Sequence, residues 1–250
     1  MELLKVDNLS KAYKRHRVTA VDGVSFPVFK GEILGLVGES GCGKTTLAKL
    51  LLRLINADKG SIFYKGKDLN LISYSDMRNL RKDLQVIFQD PYASLDPRMK
   101  AGEVIEEVYD IHKNIPGREK RNKAIELLET VGLGESYLNR LPAELSGGER
   151  QRIGIARALA TSPEFIVCDE PVSSLDISIQ AQILNLLIDL QKRKNLTYLF
   201  ISHDLGVIGS ICDRVMVMKS GRIVESGLCE DVFKHPANEY TRSLLKSALF

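Results

Sequence analysis

The residues Gly38-Glu39-Ser40-Gly41-Cys42-Gly43-Lys44-Thr45 stand between an unbroken apolar run, Ile33 to Val37, and a helical pattern that opens at Lys44. They match G-x-x-x-x-G-K-[ST], a loop that works when a buried strand feeds it and a helix N-terminus closes it. A glycine-rich turn followed by an accidental Lys-Thr would not need those flanks, so the loop reads as a phosphate cradle. Its glycines let the backbone wrap closely around phosphate oxygens, while its N–H groups and the helix N-terminus favour negative charge. Lys44 adds a point charge, the Thr45 hydroxyl is placed to ligate Mg2+, and Thr46 follows as a further phosphate neighbour.

The run before the loop suits a strand buried on both faces, and β-rich segments surround it at 3–6, 24–29 and 85–88. Leu47, Leu50, Leu51 and Leu54 form one helical stripe, expected to end before the turn Asp58-Lys59-Gly60. From about Pro91 to Ala160 the pattern is helical, with Leu127, Leu128 and Val131 on one face. Strand and helix then alternate again: strand Phe165 to Asp169, a helix near 179–193, strand 198–202, a short helix, strand 214–218 and a last helix over 239–249. This recurrence implies an α/β fold, a mostly parallel sheet flanked by helices. The helical stretch 91–160 reads as a subdomain inserted into one folded unit made of 1–90 and 161–250.

Phe165-Ile166-Val167-Cys168-Asp169-Glu170 is an apolar strand that ends in two acids. Asp169 suits a magnesium shell at the carboxyl end of a parallel strand, and Glu170 is placed to polarise an attacking water. Such a pair alone is usually a solvated loop start; with a phosphate loop upstream it indicates nucleotide hydrolysis. Leu145-Ser146-Gly147-Gly148-Glu149-Arg150-Gln151-Arg152 opens another helix with a Ser-Gly-Gly turn, a second anion cradle in one chain. By itself the turn is also a helix N-cap with Ser146 as the capping residue. One nucleotide does not need two cradles.

Together these residues resemble the ATP-binding cassette (ABC) superfamily, over nearly the whole chain. The resemblance implies a P-loop NTPase fold with a mostly parallel sheet core, an antiparallel β subdomain and an inserted helical subdomain. By the same resemblance Tyr13 is similar to the aromatic residue that stacks on adenine, Gln89 to the glutamine that joins the metal shell to the transmembrane partner, and His203 to the switch histidine at the γ-phosphate. Ser174-Leu175-Asp176 resembles the loop that crosses between two subunits. Such subunits pair head to tail, each ATP lying between one subunit's phosphate loop and the other's Ser-Gly-Gly turn. One site would then use Tyr13, Gly38 to Thr46, Gln89, Asp169, Glu170 and His203, while Ser146, Gly147, Gly148 and Glu149 serve the partner's ATP and Asp176 lies at the crossing loop. Glu149 stands where the family usually has Gln; an acid near a triphosphate acts against binding by like-charge repulsion, but Ser146 and the backbone donors are intact, so the partner's site is expected to work. Cys42 inside the loop carries the expectation that alkylation inhibits and that ATP protects.

Within the superfamily, the stretch from Val86 to Met99 and the stretch from Asp169 to Gln182 resemble the ATPases of oligopeptide, dipeptide and nickel importers, the second matching the F-type member. His235-Pro236 followed by Tyr240-Thr241-Arg242-Ser243-Leu244-Leu245 is similar to the family's tail, with Ala237, Asn238 and Glu239 interposed. The resemblance implies ATP and Mg2+ as cofactors, a D-type ATPase as heterodimer partner, two transmembrane permease subunits, an extracytoplasmic solute-binding protein reached through them, and a peripheral place on the cytoplasmic face of the membrane. Peptide is the first reading of the solute, and nickel or a metallophore the second. Many peptide-importer ATPases continue into a cysteine-containing extension that is not seen here, so no iron–sulfur cluster is expected. Tyr92, just after Gln89, is expected to receive a permease's cytoplasmic helix.

Composition narrows the rest. The 35 Lys+Arg against 32 Asp+Glu leave +3, too little for the electrostatic footprint of non-specific DNA binding, so no nucleic-acid partner is expected. The apolar stretches fall short of the roughly 20 residues a spanning helix needs. The start, Met1-Glu2-Leu3-Leu4-Lys5, lacks the apolar run of a signal peptide. Basic residues at Arg78, Arg81 and Lys82 and over 113–123 read as solvated helix faces. Cys42, Cys168, Cys212 and Cys229 form no CxxC pair and read as thiols of a reducing compartment. A soluble ABC ATPase of DNA repair or translation is the distant alternative, but the zinc cysteines and coiled coils typical of those relatives do not occur between Lys44 and Ser146.

Overall fold

The computed structural model describes residues 1–13, 18–90, 92, 94–112 and 115–247. The chain divides into two compact units, Met1–Arg78 with Asn195–Phe250, and Asn79–Lys194.

In the first unit, β1 (Glu2–Tyr13) pairs antiparallel with β2 (Val18–Phe29) on one side and β4 (Lys59–Tyr64) on the other, and the short β5 (Lys67–Asp68) completes the order β2-β1-β4-β5. Alternation drives this sheet: Val24, Phe26 and Val28 of β2 turn inward while Ser25 and Phe29 face out. In β1 the period slips between Val6 and Leu9, where Asn8 takes φ 47° and a register shift returns Leu9 to the core. The expected turn at Asp58-Lys59-Gly60 runs straight into β4, because the Asp58 carboxylate accepts from Lys11 Nζ and Ala12 N–H and so fastens the β4 entry to β1. The sequence reading did not foresee β4, β5 or the helix α2 (Tyr74–Leu80).

The same unit holds β3 (Ile33–Val37), parallel to both β8 (Thr197–Ile201) and β9 (Arg214–Lys219), with β10 (Arg222–Leu228) antiparallel on β9. Every residue of β3 and β8 is buried, as unbroken apolar runs in a parallel sheet should be. The start of β3 is fixed by charge: Arg214 Nη1 reaches both Glu32 carboxylate oxygens at 3.2 Å, and Ile33 N–H donates to Asp213 at 2.8 Å. Gly35 lets α7 (Leu205–Ile211) lie close, since a Cβ there would sit 3.0 Å from Ile208 Cγ2 and Cys212 Sγ. The helix α1 (Lys44–Leu51) buries Leu47, Ala48, Leu50 and Leu51 but stops before Leu54. Arg53 turns left-handed at φ 48° and Leu54 is 51% exposed, so the expected stripe is one residue too long. The helices α8 (Cys229–Lys234) and α9 (Glu239–Ser247) follow; the expected continuation of α9 to Leu249 lies outside the described residues.

In the second unit, β6 (Leu84–Ile87) and β7 (Phe165–Asp169) run parallel, Leu84 opposite Phe165 and Ile87 opposite Cys168. Between them in sequence, α3 (Ala101–His112), α4 (Gly117–Thr130) and α5 (Gly147–Leu159) pack on one another, and α6 (Ile177–Lys194) packs on α5 through a face that buries Ile183, Leu187 and Leu190. Gly102 allows the closest approach, since a Cβ there would be 2.5 Å from Leu138 Cδ2. Phe88 lies beyond β6 and is exposed; Pro91, Ala93 and Lys113, used in the sequence reading, lie outside the described residues. On the basic faces Lys120 pairs with Asp110, and Lys123 lies 3.6 Å from Glu119. Among the described residues no helix is long and apolar enough to cross a membrane.

Candidate functional site

The phosphate loop leaves β3 and enters α1, the strand-to-helix passage its spacing demanded. Two of its glycines are required twice over. Gly38 and Gly43 take φ 153° and 115°, and a Cβ would fall 2.2 Å from Met218 O at the first and 2.0 Å from Ala20 O at the second. The strands β2 and β9 thus wall the loop from behind. Gly221 N–H donates to Cys42 O at 2.9 Å, and Glu39 N–H donates to Tyr240 Oη at 3.3 Å, so the β9–β10 turn and α9 brace it further. Lys219 Nζ lies 4.5 Å above the Tyr240 ring.

Lys44 is buried, and its ammonium donates to the carbonyls of Gly38 at 2.7 Å and Glu39 at 3.0 Å. The cation is therefore held across the loop mouth by the loop's own backbone. Glu39, Ser40, Gly41 and Thr45 are exposed and Thr46 is half-buried, which leaves the first turn of α1 accessible to an anion. Cys42 departs from the expectation of a reactive thiol: it is buried, burial pushes its thiol up against the opposing pull of Lys44, and its Sγ would meet a Cβ on Gly38 at 2.8 Å. Tyr13 belongs to the same unit, 37% exposed at the end of β1. His203 does too, exposed just past β8. Asp204 caps α7 by accepting from Gly206 and Val207 N–H, and its own N–H donates to Ser202 Oγ at 3.0 Å, which fixes the backbone on both sides of the histidine.

In the second unit the β6–β7 register brings Gln89 beside Glu170: Gln89 Nε2 donates to Glu170 Oε2 at 3.2 Å, and Ser174 Oγ donates to Gln89 O at 3.3 Å. Glu170 takes φ 50°, and its carbonyl accepts from both Ser173 N–H and Ser173 Oγ. A left-handed non-glycine residue costs about 1–3 kcal/mol and persists where surroundings over-determine it. Here it turns the chain at the residue just past β7, which Asp169 closes. The oxygen donors Thr45, Gln89 and Asp169 are of the hard kind that Mg2+ prefers.

The Ser-Gly-Gly turn is the helix N-cap that the sequence allowed. Ser146 is the N-cap of α5, its Oγ accepting from Glu149 N–H at 3.3 Å. Glu149 returns the bond, its Oε2 accepting from Ser146 N–H at 2.7 Å and from the Ser146 hydroxyl at 2.8 Å. Tyr137 donates to the other oxygen, Oε1, at 2.6 Å. These bonds, the Tyr137 hydroxyl's foremost, hold the Glu149 carboxyl below the usual carboxylate range. The acid at this position is thus folded back along its own helix. Gly148 is needed for space, since a Cβ would meet Ile179 Cγ2 at 2.6 Å, while a Cβ on Gly147 would press on the movable Leu175 Cδ2 at 3.1 Å. The loop with Ser174, Leu175 and Asp176 therefore backs the turn, with Asp176 itself exposed. Tyr92 is exposed but stacked: the buried Arg150 guanidinium lies 3.6 Å over its ring. The sequence reading missed the partners Tyr137 and Tyr240. Tyr240 was visible in the tail motif without its target, and Tyr137 carried no signal, because it comes from a separate one-turn 3-10 helix, Glu135–Tyr137.

Comparison with known proteins agrees with this geometry. Residues 21–173 match the family model described as ABC transporter. The chain is 49% identical over 250 residues to the oligopeptide transport ATP-binding protein OppF of Streptococcus mutans, covering 98% of this chain and 81% of that protein. It is 51% identical over 247 residues to a putative peptide import ATP-binding protein of Brucella ovis, covering 98% and 78%. Among solved structures it resembles the dimeric, post-hydrolysis ATP-binding cassette MJ0796 bound to ADP and Pi, with a TM-score of 0.82, 28% identity and coverage of 91% and 99%. Its fold is likewise close to cbiO1 of Clostridium perfringens, with a TM-score of 0.83, 28% identity and coverage of 94% and 91%.

Proposed function

Since this chain belongs to the ABC transporter family, we propose that it binds and hydrolyses ATP to power an importer of peptides. It does so as one of two ATPase subunits paired head to tail, a D-type subunit being its partner. The observation that carries this is that one chain holds two differently built glycine turns at helix N-termini, the Lys44 loop and the Ser146 turn. The relatives named for oligopeptide transport and peptide import support the choice of solute. The dimeric cassette bound to ADP and Pi supports the pairing.

In this reading the loop 38–46 and Tyr13 hold the nucleotide, and Lys44 transfers its hydrogen bonds from the Gly38 and Glu39 carbonyls to phosphate. Thr45, Asp169 and Gln89 would hold Mg2+, which spreads the charge of the phosphates when bound. Glu170, oriented by Gln89, accepts the proton of the attacking water, and His203 donates to the γ-phosphate. Ser146, Gly147 and Gly148 close the partner's site. Tyr92 and Gln89 form the face that meets two transmembrane permease subunits, placing the chain peripherally on the cytoplasmic side of the membrane. An extracytoplasmic solute-binding protein is reached only through those permeases.

The test is recovery of tagged Glu170→Gln with ATP from native membranes, with its companions identified by mass spectrometry. Removing the water-activating carboxylate leaves phosphate binding intact, so the nucleotide-bound pair should accumulate. A second ATPase, two membrane proteins and a peptide-loaded solute-binding protein are expected. Recovery with ribosomes, DNA-processing proteins or no membrane protein would overturn the proposal.

A further inference from the structure

A serine hydroxyl has one proton to give. At the mouth of α5 the Ser146 hydroxyl gives it to Glu149 Oε2, at 2.8 Å, and the same oxygen also takes the Ser146 N–H at 2.7 Å. The far oxygen of that carboxylate is gripped by the Tyr137 hydroxyl at 2.6 Å, and the Tyr137 ring is itself covered by the Arg140 guanidinium, 4.4 Å from its centroid. The three side chains form a directed chain, Tyr137 and Ser146 both donating to one ionised group. A phosphate oxygen approaching the turn must compete with that group for the serine proton and face its charge. Gln at this position would keep the capping geometry without the charge.

We infer that Glu149, anchored by Tyr137, is a positioning residue that sets how tightly the Ser-Gly-Gly turn takes the terminal phosphate of the partner's ATP. Tyr137 acts through Glu149: its hydroxyl keeps the carboxylate turned along the helix and away from the phosphate. When the phosphate arrives, no covalent bond breaks. The Ser146 oxygen keeps its proton and changes acceptor from Glu149 to the phosphate. This rests on the head-to-tail reading above.

The experiment is a double-mutant cycle on ATP hydrolysis by the complex recovered from membranes, with Glu149→Gln, Tyr137→Phe and both together. Glu149→Gln should lower the KM for ATP by about fivefold, the size of a partly screened charge interaction, and change kcat less. Tyr137→Phe, which frees the charge to swing, should raise KM by about threefold. The double variant should behave as Glu149→Gln alone, because Tyr137 then has no charge to keep from the phosphate. An unchanged or raised KM in Glu149→Gln overturns the inference, as does a Tyr137→Phe shift that persists in the double variant. ATP binding by the isolated chain, which uses its own Lys44 loop, separates local unfolding from the proposed role: a loss there in Glu149→Gln also overturns it. Ser146→Arg distinguishes the two levels. If Ser146→Arg stops hydrolysis and Glu149→Gln moves nothing, the pairing stands and the inference fails; if Ser146→Arg hydrolyses normally, the pairing itself fails.

Discussion

The loop 38–46 and the turn 146–148 both lead into a helix N-terminus, yet they use glycine and charge in opposite ways. In the loop, glycine supplies conformations closed to other residues, and backbone carbonyls of β2 and β9 stand where a Cβ would go. In the turn, the glycines have ordinary dihedrals and are small because Leu175 and Ile179 press on them from behind. The loop holds its cation in reserve on its own carbonyls, whereas the turn holds its hydroxyl in reserve on an acid. On the proposed function, binding a phosphate releases carbonyls in the first case and a carboxylate in the second. On the same reading, the first cradle captures an anion alone and the second accepts one already carried by another subunit.

Substituting glycines should show this contrast most strongly. Gly43→Ala forces a left-handed alanine against the Ala20 carbonyl and should cost about 3 kcal/mol or more in stability by denaturant unfolding. Gly147→Ala only nudges the movable end of Leu175 and should cost under about 1 kcal/mol. Equal costs would mean that both glycines are conformational and would erase the distinction. A smaller effect concerns Cys42. Because burial raises its thiol, thiolate is scarce at neutral pH, and alkylation should be slower than for an exposed thiol and quicken as pH rises beyond the ordinary thiol range. Mass-spectrometric labelling rates read this directly; rapid labelling at pH 7 would show that the loop opens readily.

What could be read from the chain followed burial. The strands β3, β7 and β8 were plain because runs such as Phe165 to Cys168 are apolar without interruption and buried on both faces. The strand β4 was hidden because its first half, Lys59 to Ser61, is polar and partly exposed and follows what reads as a turn. Leu54 misled because an apolar residue in phase with a helix is no evidence that the helix continues once Arg53 has turned left-handed. The site divides in the same way. Lys44, Asp169 and Ser146 stand in contiguous motifs, whereas Gln89 was assigned by resemblance and its bond to Glu170 depends on the register of β6 and β7. The spacing of Ser146 and Glu149 was a legible capping box, although charge alone suggested a repelling acid. Tyr137 and Tyr240 reach their targets from elements whose placement only the tertiary fold decides.

The central claim is that the two cradles serve two different nucleotides. Its most direct measurement compares Lys44→Ala with Ser146→Arg, each in a Glu170→Gln background, for ATP binding by the isolated chain and for recovery of the ATP-trapped pair from membranes. The account predicts that Lys44→Ala loses both, while Ser146→Arg binds ATP as its parent does and yields no trapped pair. Loss of ATP binding by the isolated Ser146→Arg chain, or a trapped pair that survives the substitution, would contradict it.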